Sequence, residues 1–371
     1  MMNKVGFVGW RGMVGSVLMH RMEKKNDFFT INPIFFSTSQ IGQVGPKFNN
    51  IQYSTLKNAY DIDVLKEMDI IISCQGSIYT KDVYFSLRKN GWKGYWVDAA
   101  SYLRMNQDSV IVLDPINKLS IKNYIEKGYK TFVGSNCTVS LMLLALGGLF
   151  QHNLVEWINI STYQAASGAG SLYMLELLKQ MGYLYDSISN LLNDSNISIL
   201  KMDKIVSKSL QSNCIPKNYF KTPLAGSVIP WIDEYFKNGQ TKEESKIEME
   251  SNKILENKNK INIDGICVRV GTMRCHSQSF TIKLKQNISI SNIEEIITNN
   301  NKWVKIIPNT KELSIKKLNP VYTSGTLNIP IGRLRKLSIG KKYLSAFSVG
   351  DQLLWGAAEP LRRMLKILVK K

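Results

Sequence analysis

Histidine is scarce in this chain, with three among 371 residues, and the five cysteines share no CxxC spacing. That argues against a structural zinc site or any other metal centre, which needs such ligands clustered. The cysteines (Cys74, Cys137, Cys214, Cys267, Cys275) are odd in number and scattered. A disulfide framework is therefore not expected, and a reducing, cytoplasmic compartment is. No apolar run reaches the roughly 18–20 residues of a membrane span. The opening MMNKVGFVGW has no charged lead, apolar core or cleavage site, so neither a secretory signal nor a membrane partner is expected. Internal repeats and low-complexity tracts are missing as well.

Acids are also few, 29 against 48 basic residues, for a formal charge of +19. Such a balance can mean nucleic acid or anionic ligands. Here the lysines are dispersed and accompanied by acids, as in KEESKIEME. There is no Arg-rich stripe, no interleaved aromatic set and no nucleic-acid module, so no nucleic-acid partner is expected. The recurrence of Lys, Asn and Ile reads as compositional drift.

What is present is an alternation of short apolar strands with helical segments over the first third. KVGFV (Lys4–Val8), NPIFF (Asn32–Phe36), DIIIS (Asp69–Ser73), GYWVDA (Gly94–Ala99), VIVLD (Val110–Asp114) and KTFVG (Lys130–Gly134) read as strands. GSVLMHRMEK and KDVYFSLRKN are among the helices between them. This is the signature of a parallel sheet with helices on both faces. The remainder reads as a separate α+β domain. An apolar helix starts at Cys137, and a strand-like INISTYQAAS follows. A long helical stretch is expected from about Ser171 to Leu210, then a Pro-containing segment KTPLAGSVIPWID and a helix KEESKIEMESNKILEN. Asp264–Lys285 looks like two β runs broken near Gly271, and Glu256–Lys260 like a solvated loop. The final LLWGAAEPLRRMLKILVK has Leu, Met and Ile at helical spacing and can pack back on the first domain. The expected domains are 1–135 plus 357–371, and 136–356.

Gly9-Trp10-Arg11-Gly12-Met13-Val14-Gly15 directly follows the first strand and opens a helix. In that context GxxGxxG is a dinucleotide fingerprint: glycines allow close approach of pyrophosphate, and the helix N-terminus supplies N–H donors. The end of the second strand reads Phe36-Ser37-Thr38-Ser39-Gln40, with no acid for ribose hydroxyls. Hydroxyls there, with Arg11 nearby, suit a 2′-phosphate, so NADP(H) is the expected cofactor.

VGSNCTVSLMLLAL (Val133–Leu146) places one thiol at a helix start, with Ser135 or Asn136 as N-cap. Free N–H groups there favour thiolate and can serve an oxyanion. A small core residue beginning an apolar helix is the equal alternative. A nucleophilic cysteine needs a base. His20 lies on or near an apolar stripe and reads as structural, and His152 sits in a polar junction. His276, in RVGTMRCHSQSF, is flanked by Arg269 and Arg274, which would keep it neutral and able to act as a base; a satisfied histidine in a strand fits as well. Cys275 is a rival nucleophile, without a helix start.

GWRGMVGSVLM, FFSTSQ, GSNCTVSLML, TYQAASG, RVGTMRCHSQ and VGDQLLWGAAEPLRRML, in this order across essentially the whole chain, resemble aspartate-semialdehyde dehydrogenases of the Gram-negative bacterial branch. The resemblance implies a Rossmann-type NADP-binding domain, an α+β catalytic and dimerisation domain, and a homodimer. It implies NADPH-dependent reductive dephosphorylation of L-4-aspartyl phosphate to L-aspartate 4-semialdehyde and inorganic phosphate, feeding lysine, threonine and methionine synthesis. In that reading Cys137 forms the acyl-enzyme thioester, His276 is the acid/base and Gln164 orients the substrate. Arg269 pairs with the α-carboxylate, Glu243 meets the α-amino group, and Arg104 and Lys246 hold phosphate. Arg11, Gly12, Met13, Val14, Thr38, Ser39, Gln75, Ser167, Gly168 and Gln352 line the NADP site. Ser135 and Ala169 stand where the pattern has glycine, with little effect expected. An N-acetylglutamyl-phosphate reductase shares the logic but not the free ammonium for which Glu243 would be placed. A glyceraldehyde-phosphate dehydrogenase would carry an acid after the second strand. A basic binding protein, or a remnant without activity, would have no use for the Cys137, Gln164, Arg269 and His276 set.

Overall fold

The computed structural model describes residues 2–257 and 259–369. Met1, Lys258, Lys370 and Lys371 lie outside it, and with them one residue of the expected Glu256–Lys260 loop and the last residue of the expected terminal helix.

Seven strands form the first sheet: β1 (Lys4–Val8), β2 (Asn32–Ser37), β3 (Lys57–Asn58), β4 (Ile70–Ser73), β5 (Tyr95–Asp98), β6 (Ser109–Val112) and β7 (Thr131–Gly134). They lie in the order β3-β2-β1-β4-β5-β7-β6, all parallel. Helices α1 (Met13–Lys24), α2 (Ser77–Lys89) and α3 (Asp114–Glu126) carry the crossovers. With both faces covered, the central strands are mostly apolar, and every residue of β4 is buried. From β1 the chain runs out to β2 and later returns to β4 on the other side. That reversal leaves a crevice beyond the carboxyl ends of β1 and β4. The turn into it requires glycine twice. Gly9 has φ +71°, and a Cβ on Gly15 would lie 2.2 Å from the Gly9 carbonyl oxygen.

Helix α4 (Cys137–Gln151) leaves β7 for the second domain. Its CTVSLMLLALGGLFQ is apolar on all sides, and Thr138–Phe150 are all buried. It packs on a mixed sheet of β8 (Val155–Gln164), β9 (Val228–Ile229), β10 (Asn262–Val270), β11 (Cys275–Leu284), β12 (Val304–Ile306), β13 (Ile329–Leu337) and β14 (Gly340–Asp351), in the order β9-β10-β8-β11-β14-β13-β12. The two β runs around Gly271 are β10 and β11, which are not neighbours: β8 lies between them, parallel to β10 and antiparallel to β11. Helices α5 (Ser171–Ile188), α6 (Ile199–Gln211), α7 (Lys242–Leu255) and α8 (Ile290–Asn300) belong to this domain, with two short helical segments at Lys311–Lys317 and Pro320–Thr323. Ile247 and Ile254 of α7 and Ile293 and Ile297 of α8 join Leu141–Leu149 over one sheet face. The opposite face leaves Tyr163 and Ile266 exposed.

The single helix expected from Ser171 to Leu210 is two. The α-helix ends at Ile188, tightens into a 3₁₀ turn over Ser189–Leu191 and is lost in the Asn-Asp-Ser-Asn run, where Asp194 Oδ1 accepts from the Asn196 amide at 2.9 Å; it restarts at the Ser198 cap. Short polar side chains that bond nearby amides compete with the helix. The terminal helix α9 (Glu359–Val369) sends Leu361, Met364, Leu365 and Leu368 into the core of the first sheet, beside Val5 and Phe7. Arg362 fixes it there through Asp27, with Nη2 3.1 Å from Oδ1.

Candidate active site

Asn136 caps α4, its Oδ1 accepting from the amides of Thr138 (2.8 Å) and Val139 (3.2 Å), while its own amide donates to Glu250 at 2.8 Å. Cys137 is thereby fixed as the first helical residue. Its Sγ lies 3.3 Å from Nε2 of His276, near the start of β11. The amide of Ala165, just past β8, donates to His276 Nδ1 at 2.9 Å. Because Nδ1 accepts, the single proton of a neutral ring sits on Nε2, facing the sulfur.

The ionised thiol expected from the helix start is not what the structure holds. Burial pushes the Cys137 thiol up to about 12, and Glu243 adds to the effect; Arg269, Arg104 and Lys246 pull the other way without reversing it. Desolvation outweighs the helix end. His276 moves as expected, well below its ordinary value, through burial and then Arg269. Arg274 has no part in this; its Nε pairs with Asp351 at 2.8 Å. The pair is a neutral thiol beside a neutral imidazole.

Cys137 lines a cavity of about 490 Å³ between the domains, with His276 buried behind the sulfur. The cavity gathers every residue expected to touch the substrate. Gln164 Nε2 donates to Glu243 Oε1 at 3.3 Å, and Asn136 Nδ2 to the same oxygen at 3.0 Å. Arg269 is buried, donates Nη1 to the Ala165 carbonyl at 2.8 Å, and forms no ion pair among the described residues. Arg104 reaches in from the first domain, held by the Gly134 carbonyl (2.7 Å) and Glu250 (3.2 Å). Lys246 Nζ lies 3.1 Å from Glu243 and 2.6 Å from Asp233. Burial alone would lower this ammonium, but the two carboxylates outweigh it and raise Lys246.

The residues expected at the dinucleotide divide into two groups. Val14, Gly168 and Gln352 line the same cavity as Cys137, and Ser167 Oγ donates to Gln352 Oε1 at 2.8 Å. The others surround the first-domain crevice. Gly12 caps α1 with no side chain to accept from its first turn, so the amides of Met13 and Val14 have no side-chain acceptor. Gln75 sits against the turn, its amide 2.6 Å from where a Gly9 Cβ would lie. Arg11 Nη2 donates to Ser37 Oγ at 3.1 Å, which places the guanidinium beside Thr38 and Ser39. A glycine-built cradle, free helix amides, and a cation with hydroxyls where an acid would repel phosphate fit a phosphorylated dinucleotide.

Sequence reasoning missed three residues. Glu250 bridges the Asn136 amide and Arg104. Its signal was spacing: Glu243, Lys246 and Glu250 fall at i, i+3 and i+7 on α7, one helix face. Asp233 holds Lys246, with φ +73°. Gly356 lies against Cys137, so closely that a Cβ would be 2.6 Å from the cysteine Cβ. Cys275 is excluded as nucleophile: next to His276 on a strand, it points to the opposite face, into a cluster with Ile307, Leu318 and Val349. His20 is exposed rather than part of an apolar stripe.

A family model described as semialdehyde dehydrogenase, NAD binding domain, matches residues 4–124, and one described as semialdehyde dehydrogenase, dimerisation domain, matches residues 146–355. The solved aspartate semialdehyde dehydrogenase of Francisella tularensis is 51% identical with TM-score 0.94, over 99% of this chain and 100% of that one. At 20% identity, aspartate semialdehyde dehydrogenase II of Vibrio cholerae, complexed with ASA, shares the fold at TM-score 0.82 over 100% and 99% of the two chains. The Candida albicans enzyme, solved with NADP, does so at 14% identity and TM-score 0.65 over 99% and 98%. No helix among the described residues is long and apolar enough to cross a membrane.

Proposed function

The chain belongs to the semialdehyde dehydrogenase family, and we propose that it reduces L-4-aspartyl phosphate to L-aspartate 4-semialdehyde and phosphate, reversibly, through a thioester on Cys137. It is an NADP-dependent oxidoreductase of amino-acid biosynthesis. The observation that carries the site reading is one cavity with a thiol 3.3 Å from an imidazole, a buried guanidinium without an ion-pair partner among the described residues, and a carboxylate ringed by donors.

Each residue then has one task. The guanidinium fork of Arg269 takes the substrate α-carboxylate bidentately. Glu243 receives the α-ammonium, and Gln164 orients the acyl group. Arg104 and Lys246 neutralise the phosphate as it leaves. NADPH, when bound along Gly12, Met13, Val14, Thr38, Ser39, Gln75, Ser167, Gly168 and Gln352 with Arg11 toward its 2′-phosphate, supplies the hydride. His276 manages the proton at one atom. When Cys137 adds to the aldehyde, Nε2 gives its proton to the carbonyl oxygen and takes the one that leaves sulfur, so the ring stays neutral. The free ammonium site at Glu243 speaks against an N-acetylated substrate.

The domains on this reading are 1–135 with 357–371, and 136–356, with α4 as the joint. The dimerisation-domain match and the exposed Tyr163 and Ile266 on the second sheet support a homodimer across that face. Five free cysteines suit a reducing cytoplasm.

The test is phosphate-dependent NADPH formation from L-aspartate 4-semialdehyde. Cys137→Ala should abolish turnover and keep NADPH binding, and Arg269→Leu should chiefly raise the KM for the aldehyde. Turnover that survives Cys137→Ala would refute the thioester.

A further inference from the structure

Lys246 is not free to meet a phosphate. Two of its three N–H donors are taken, by Asp233 at 2.6 Å and Glu243 at 3.1 Å. The charges around the cavity also balance without a ligand. Arg104, Lys246 and Arg269 face Glu243, Asp233 and, behind Arg104, Glu250. An acyl phosphate of aspartate adds one ammonium, one carboxylate and a phosphate dianion, so excess anion arrives at a site where Lys246 is already engaged by carboxylates. Glu243 and Glu250 are poor candidates for displacement. Both stand on α7 with side chains 8% and 2% exposed, and both accept further bonds from the Cys137 loop. Asp233 differs on each count. Its side chain is 29% exposed, it lies on the loop between β9 and α7, and its backbone is left-handed. Apart from Lys246, among the described residues its carboxylate accepts only from the amide of the next residue, Glu234, at 3.0 Å.

We infer that Asp233 is a built-in stand-in for phosphate. Its carboxylate occupies Lys246 in the ligand-free protein, the phosphate of the substrate displaces it, and Asp233 thereby sets the affinity of the site for phosphate. The inference rests on the reading of Lys246 as a phosphate ligand. It makes Asp233 a competitor of phosphate rather than a contributor to its binding, which reverses the effect of removing it. An orienting partner of Lys246 would be missed by phosphate; a competitor would not.

The experiment measures inorganic phosphate binding calorimetrically to the full chain with NADP present, beside the KM for phosphate and for L-aspartate 4-semialdehyde. Asp233→Asn should tighten phosphate about fivefold, the ratio set by a partly exposed ion pair, and lower its KM in step. The KM for the aldehyde should stay put. Asp233→Glu, which restores the charge, should behave as the unaltered protein does. Unchanged or weaker phosphate binding in Asp233→Asn overturns the proposal. Lys246→Met separates the two claims. If it leaves phosphate binding intact, the phosphate reading of Lys246 and the stand-in fall together. If it abolishes binding while Asp233→Asn does not tighten it, only the stand-in falls.

Discussion

Gly356 offers a direct test of whether the position of Cys137 limits the chemistry. A Cβ built on Gly356 would lie 2.6 Å from the Cβ and 3.0 Å from the Cα of Cys137, and 3.4 Å from Cγ of Gln352. Ordinary carbon–carbon contact is about 3.5–4.0 Å, so Gly356→Ala forces a separation of about 1 Å. The backbone conformation at Gly356 is not left-handed, so alanine is strained only by this contact. The atoms met are the Cβ and Cα of Cys137, which cannot move without the backbone, and that backbone is pinned by the Asn136 cap and the Glu250 bond. Overpacking of this kind costs about 1–3 kcal/mol in stability. A displacement of about 1 Å at the nucleophile costs about 100-fold in rate. Gly356→Ala should therefore fold, unfold in urea at a modestly lower midpoint, bind NADP, and lose about two decades of kcat in the phosphate-dependent assay. A variant with kcat within about twofold of the unaltered protein would refute the argument, because the helix start would then have shifted without consequence for the sulfur.

Three further outcomes follow from the electrostatics. With the thiol at about 12 and no imidazolium beside it, alkylation of ligand-free Cys137 by iodoacetamide should accelerate about tenfold per pH unit from about pH 7 to 10; a plateau below about pH 8 would reveal a thiolate–imidazolium pair instead. Since His276 is held neutral in the fold and protonates near 6.5 once unfolded, the unfolded state binds the extra proton as pH falls. Stability should then drop by up to about 1.4 kcal/mol per unit below about pH 6.5. Urea midpoints of His276→Asn should fall less steeply, and equal slopes would mean the ring is not held neutral. Glu250→Gln keeps an acceptor for the Asn136 amide but strands Arg104, whose pair is buried with side chains 10% and 2% exposed. The expected loss is about 3 kcal/mol, with part recovered in the double variant Arg104→Met/Glu250→Gln; a loss under about 1 kcal/mol would show that water reaches the guanidinium.

The parts legible in the sequence are those that local spacing specifies. The strand, Gly9–Gly15 turn and helix α1 follow one another within twenty-one residues, so their geometry is set by neighbours in the chain. Cys137 at a helix start was legible for the same reason, because Asn136 caps with its own side chain. The parts that were not legible depend on what lies across space. The thiol's acidity is decided by burial between two domains, which no local pattern encodes, and so the helix end was overvalued. Arg274 adjoins His276 by two residues in sequence but points to Asp351, while Arg269 reaches the ring from the neighbouring side of β8. The break between α5 and α6 was readable in principle from Asn193–Asn196, where short polar side chains interrupt the apolar spacing. His20 was judged by the stripe beside it, though a single residue along α1, from buried Met19 to exposed His20, crosses the edge of that stripe.

The same burial that keeps Cys137 protonated explains why the site straddles two domains rather than lying in one. A thiol ionised at rest would be open to oxidation and alkylation whether or not substrate were present. A largely desolvated thiol at the cavity wall, with a neutral imidazole 3.3 Å away, ionises only where its proton has a destination and its charge a partner. On the proposed reading the substrate supplies both: its carbonyl oxygen would accept the proton from Nε2, and its ammonium would neutralise Glu243, the carboxylate that helps hold the thiol up. For that coupling the sulfur, the imidazole and Glu243 would meet the acyl group together with Arg104 from the first domain, and α4 begins at the end of the first sheet and runs into the second core. Reactivity is thus tied to occupancy by the placement of one helix start, and a change that opens this junction to water should raise the resting reactivity of Cys137 while it lowers turnover.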